Sequence, residues 1–129
     1  MIKLSDLIRE RIDYDQVANY LVKYYKLKSK VKIGGAKHDY GDYIPETDTI
    51  LLNRSYPNVK EFVISVLHEI KHALDAKRLT PKKFKKKYDQ AGTMAVYQGK
   101  DPHDDNKWEK LAEKWAQKEY KRKWSKIFK

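Results

Sequence analysis

The chain has 129 residues, 40% of them hydrophobic, which fits one domain with a packed core and argues against wholesale disorder. It has no cysteine, which excludes disulfides and thiolate metal sites, so any metal ion here needs histidine and carboxylate ligands. The net charge of +11 favours contact with nucleic acid, anionic lipid or acidic protein, and no apolar run is long enough to span a bilayer.

Along the chain, Leu7, Ile8, Ile12, Val17, Tyr20, Leu21 and Tyr24 recur at helical spacing, which predicts two short helices between Ser5, a plausible N-cap, and Lys28. Val31-Lys32-Ile33 alternates and ends at Gly34-Gly35, which predicts a strand and turn. Tyr40 to Ile44, stopped by Pro45, predicts a second strand and Thr49 to Asn53 a third, with Glu46-Thr47-Asp48 as the hairpin turn. The result is a small, mostly antiparallel sheet. Pro57 and Asn58 precede a helix from Val59 to Lys77, closed by Leu79-Thr80-Pro81. A helix over Lys82–Gln90 fits, but Gly92, Gly99 and Pro102 predict a broken connection up to residue 106, and such connections are often functional. A last helix is expected from Asn106 to Phe128, with Asp104, Asp105 and Asn106 near its positive N-terminal end. The segment MIKLSDLIRERIDYDQ has no apolar stretch of the signal-peptide type, and with the absence of cysteine this gives the expectation of a cytoplasmic protein forming one domain over residues 1–129.

The chemistry is expected in the Val59–Lys77 helix, which contains His68-Glu69-Ile70-Lys71-His72. Two histidines four apart on a helix stand one above the other, so both imidazoles reach one metal ion. The glutamate between them projects from a neighbouring angle and reaches a metal-bound water. Phe62, Val63, Val66, Leu67, Ile70, Ala73 and Leu74 make one apolar stripe, with His68 and His72 opposite its centre alongside Glu61, Ser65 and Asp75. The helix should therefore bury one side and turn its histidines to a polar space. Asp75 or Glu61 could orient a ligand histidine, although a solvated carboxylate is the simpler reading of each.

A catalytic zinc ion takes three protein ligands and keeps one position for water. The metzincin spacing places Gly and His where Asp75 and Arg78 stand, which excludes that class. Two candidates remain for the third ligand. Glu109 and Glu113 share one face of the last helix, edged by the small Ala112 and Ala116, with Trp108, Leu111 and Trp115 on the apolar side. Carboxylates this near an apolar surface need a compensating partner, which Glu109 on zinc and Glu113 on a histidine ring nitrogen would supply. His103 is the alternative ligand. Tyr88, Tyr97 and His103 are also placed to stabilise an oxyanion from the irregular connection.

The order Gly41-Asp42-Tyr43-Ile44-Pro45, Ile50-Leu51-Leu52-Asn53, Val66-Leu67-His68-Glu69-Ile70-Lys71-His72-Ala73 and Glu109-Lys110-Leu111-Ala112-Glu113-Lys114-Trp115-Ala116 resembles the gluzincin metallopeptidases. It is most similar to the small ImmA/IrrE-type family of bacteria, mobile elements and phages. That family usually has Gly where Lys71 stands, and its third-ligand helix follows more closely than the 36 residues between His72 and Glu109. The resemblance implies a minimal α+β, zincin-like metallopeptidase with an active-site helix and a C-terminal third-ligand helix. It implies a protease that uses Zn2+ for peptide-bond hydrolysis, Glu69 activating a zinc-bound water, and it suggests a regulatory target such as a repressor. An extended protein or peptide substrate is expected beside Thr49–Asn53.

The competing expectation is a zinc-containing protein that binds nucleic acid or an acidic partner without catalysis. It rests on Lys82, Lys83, Lys85, Lys86 and Lys87, and on nine Lys/Arg from Lys107 onward, with aromatic residues interleaved as in Lys121-Arg122-Lys123-Trp124.

Overall fold

The computed structural model describes residues 13–38 and 40–128. The first of the two expected N-terminal helices, with Ser5 as its cap, lies outside the described residues. The second is α1, Tyr14–Tyr24, capped by the Asp13 carboxylate on the Gln16 N–H at 3.2 Å. Its apolar positions Val17, Ala18, Leu21 and Val22 are all buried.

Three strands follow: β1, Lys30–Ile33; β2, Asp42–Ile44; and β3, Thr49–Leu52. The β2–β3 connection is a 3-10 turn, Pro45–Thr47, closed by Asp48 at φ +50°, a left-handed value that Asp tolerates. The sheet order is β1-β3-β2, with β3 parallel to β1 and antiparallel to β2. The sheet is thus mixed, and the expectation of a mostly antiparallel one is corrected. Alternation identifies a strand but not its partner's direction, and here the β2 hairpin carries the chain round so that β3 runs alongside β1.

Helix α2, Val59–Leu79, touches α1, β2, β3 and every later element described below, and forms the centre of the fold. Asn58 caps it, accepting from the Glu61 N–H at 2.8 Å, and Lys77 and Arg78 stand in its last turn, where cations are favoured. It ends at Thr80, which has φ +81° and whose hydroxyl caps the next helix through the Lys83 N–H at 3.3 Å. That helix is α3, Pro81–Tyr97, with Pro at its first position. The expected break at Gly92 is therefore corrected: the helix runs through it. A Cβ at Gly92 would lie 3.3 Å from the Pro102 carbonyl, so the glycine allows the following turn to pack against the helix.

The last α-helix, α4, spans Lys107–Glu119 and continues as a π-helical turn, Tyr120–Trp124, rather than as α-helix to Phe128. Ala116, Tyr120, Trp124 and Phe128 are all buried. A spacing of four drifts round an α-helix of 3.6 residues per turn, and the wider turn keeps these side chains on the core. They pack with α1, β3 and Phe62, Val63, Ile64, Val66, Leu67 and Ile70 of α2 in one cluster. No helix among the described residues is long and apolar enough to cross a membrane.

Gly41 sets the distance between sheet and central helix. It has φ +146°, and a Cβ there would lie 2.6 Å from the Leu51 carbonyl oxygen and 3.4 Å from Glu69 Cγ. Gly41→Ala is expected to lower stability by about 1–3 kcal/mol through backbone strain and this clash, measured by urea unfolding. An unchanged midpoint would show that the strand start relaxes away from α2.

Candidate metal centre

Helix α2 carries His68, Glu69 and His72, all three buried, and Glu69 and His72 line a cavity. The polar side of α2 is covered, because α4 lies across it. Ala112 and Ala116, both fully buried, present only methyl groups at the crossing, so the two helices approach closely. Glu109 then reaches both imidazoles: Oε1 lies 2.5 Å from His68 Nε2 and 2.9 Å from His72 Nε2. The three donor atoms lie within 4.8 Å of one another and form a buried group that can hold a metal ion.

Glu113, one turn on, places Oε2 3.1 Å from His68 Nδ1, while Oε1 accepts from Gln117 Nε2 at 2.8 Å. His68 therefore sits between two carboxylates, and bonding both requires a proton on each ring nitrogen. A divalent cation on Nε2 would replace one of those protons and leave Nδ1–H donating to Glu113, the arrangement that orients a ligand imidazole. Burial pulls the His68 imidazole down, but Glu109 and Glu113 outweigh it and raise its pKa. His72 is shifted down, because burial dominates over its bond to Glu109. Its Nδ1 is buried and has no hydrogen-bond partner among the described residues. For Glu109, burial opposes ionisation, yet the two imidazoles and the Tyr88 hydroxyl hold it well below the usual carboxylate range. The donor set of two imidazoles and one ionised, buried carboxylate suits a zinc-type ion.

Glu69 lies between these histidines in sequence and lines the cavity. Burial lifts its pKa from 4.5 to about 8, with His68 opposing and Glu109 adding to the rise. A carboxyl group tuned near neutrality can accept a proton and give it back.

The cavity, about 420 Å3, is bounded by β2 and the turn after it, by Phe84, Tyr88 and Asp89 of α3, and by Pro102 and His103 of the 98–106 connection. Tyr88 donates its hydroxyl to Glu109 Oε2, and its ring stands 5.9 Å from that of His72. His103 Nε2 lies 3.2 Å from the same Glu109 oxygen, on the side away from His68 and His72. Tyr97 is corrected: it is 84% exposed and takes no part in the cavity. Because α3 continues through Gly92, Tyr97 is carried about 13 Å beyond Tyr88 along the axis. Asp75 is also corrected, being buried rather than solvated, with its carboxylate on Lys71 Nζ at 2.8 Å and Arg78 Nη2 at 3.4 Å and not on a histidine. Glu61 lies about two turns before His68 and serves the start of the helix.

Three residues of this centre escape sequence reasoning. Asn106 is fully buried; its side chain accepts from the Trp108 N–H at 2.9 Å and donates to the carbonyls of Tyr88 at 3.0 Å and Pro102 at 3.3 Å. It ties α3 to the start of α4 three residues before Glu109. His38 and Asp42 form a pair at the cavity mouth, Nδ1 to Oδ1 at 2.6 Å. A usable signal existed for His38: the chain has only four histidines and no cysteine, and three of the four, His38, His72 and His103, line this cavity.

Comparison with protein-family models, curated proteins and solved structures found no match.

Proposed function

We propose that this chain is a zinc-dependent peptidase of zincin type, with His68, His72 and Glu109 as metal ligands and Glu69 as general base. The observation that carries the reading is the buried convergence of His68 Nε2, His72 Nε2 and Glu109 Oε1 beside a cavity that Glu69 lines. When bound, zinc polarises a scissile carbonyl and lowers the pKa of water toward about 7. Glu69 takes the proton of the attacking water and delivers it to the leaving amine. Tyr88 and Glu113 hold the ligand set, the first on Glu109 and the second on His68. The expected peptide position beside Thr49–Asn53 is corrected, because β3 is paired on both sides. Of the two edge strands, β1 and β2, it is β2 whose residues line the cavity, so an extended peptide adds there.

The test is metal content. Protein prepared without chelator and dialysed is expected to retain one tightly held zinc per chain by elemental analysis, and the double variant His68→Ala, His72→Ala to retain none. Undiminished zinc in that variant would sink the assignment.

A second reading concerns the basic surface. Lys82, Lys83, Lys85, Lys86 and Lys87 are all exposed on α3, and with the 121–129 end they form the proposed contact for nucleic acid or an acidic protein. Binding to DNA or RNA is expected to weaken about 10³-fold or more between about 50 and 200 mM salt if six or more phosphates are engaged. No binding to either at low salt removes the nucleic-acid partner.

A further inference from the structure

We infer a second divalent-cation site at the cavity mouth, formed by His38, Asp42 and His103, weaker than the buried one and separate from it in ligands. His38 lies in the connection between β1 and β2, Asp42 begins β2, and His103 lies between α3 and α4. One donor atom from each comes within 4.8 Å of the other two.

Two imidazoles from distant parts of the chain meet here face to face, 3.6 Å between ring centres and 3° between planes. Asp42 is the fixed member of the group. Its Oδ2 accepts the backbone N–H groups of Lys37 at 2.5 Å and His38 at 3.3 Å, which leaves Oδ1 directed at the imidazole. A carboxylate anchored by main-chain donors is a preorganised ligand. His103 faces Glu109 Oε2 while Oε1 of the same carboxylate faces the buried histidines, so Glu109 stands between the two groups.

Parallel rings do not aim their in-plane lone pairs at one point, so one imidazole must turn to bind an ion jointly with the other. His38 can turn by releasing its bond to Asp42, since it lies outside regular structure and its side chain is 41% exposed. The ion thus gains ligands by exchanging the ring stack for coordination, which makes this site the weaker one. Imidazole with carboxylate selects zinc, nickel or copper over magnesium or calcium.

The site is tested on the full chain, stripped with chelator and titrated with Zn2+ by calorimetry, with proton NMR of the imidazole resonances in parallel. Wild type is expected to take up two equivalents in two classes, the His38 and His103 resonances shifting only with the second. The double variant His38→Ala, His103→Ala should keep the tight class and lose the weak one, and Asp42→Asn should weaken the second class at least tenfold. A single tight equivalent in wild type with no weaker class after it, or a weak class that survives in the double variant, overturns the inference. So do unmoved His38 and His103 resonances, a readout that needs no variant to fold. The His68→Ala, His72→Ala variant separates this result from the peptidase reading, because it should lose the tight class and keep the weak one.

Discussion

Glu69→Gln is expected to fold, to keep its zinc and to lose peptide hydrolysis by about 10²–10⁴ in rate, the usual contribution of a general base. The substitution preserves size and removes the titrating oxygen. Because the Glu69 carboxyl is buried, a neutral amide of the same size leaves no buried charge to compensate, so stability should be kept or slightly raised. The measurement compares cleavage in cells expressing either protein, since a narrow regulatory peptidase can ignore generic substrates such as casein. Identical cleavage patterns from wild type and variant would remove Glu69 from the role. If neither protein cleaves anything while both capture one partner, binding without catalysis becomes the better account.

Glu109→Ala should reduce zinc affinity more than any other single change on α4. Glu113→Ala, which removes the acceptor for His68 Nδ1 and leaves all three ligands in place, should cost about 10–100-fold; Glu109→Ala should exceed that, because a ligand is lost and two imidazoles lose their shared partner. Competition with a chromophoric chelator ranks the two variants. If His103→Ala proves the more damaging instead, the third ligand is His103 and Glu109 is its support.

What sequence reading recovers here depends on how local the physics is. The apolar stripe of α2 and the four-residue spacing of His68 and His72 are properties of one helix, so both were legible. Glu109 and Glu113 were legible for a related reason: Ala112 and Ala116 mark the side of α4 that another helix approaches, and the carboxylates lie on it. The direction of β1 relative to β3 was not, since alternation in Val31-Lys32-Ile33 is the same for either. Gly92 misled because its intrinsic cost in a helix, about 1 kcal/mol, is local, whereas the packing of Pro102 and Asn106 against it is not. His38 and Asp42 escaped because residue 38 meets residue 103 only once the sheet and α3 are both in place.

The corner at Thr80 makes chain length a functional variable. One residue ends α2 and caps α3, so the two helices are locked in phase with no slack between them. A single inserted residue would rotate α3 by about 100° and slide it about 1.5 Å relative to α2. Phe84 would leave the side of His72, and Tyr88 would swing off Glu109, although no residue of the motif had changed. Inserting one alanine after Thr80 should therefore impair the centre as severely as altering a ligand, and inserting a whole turn of three or four residues should do so less.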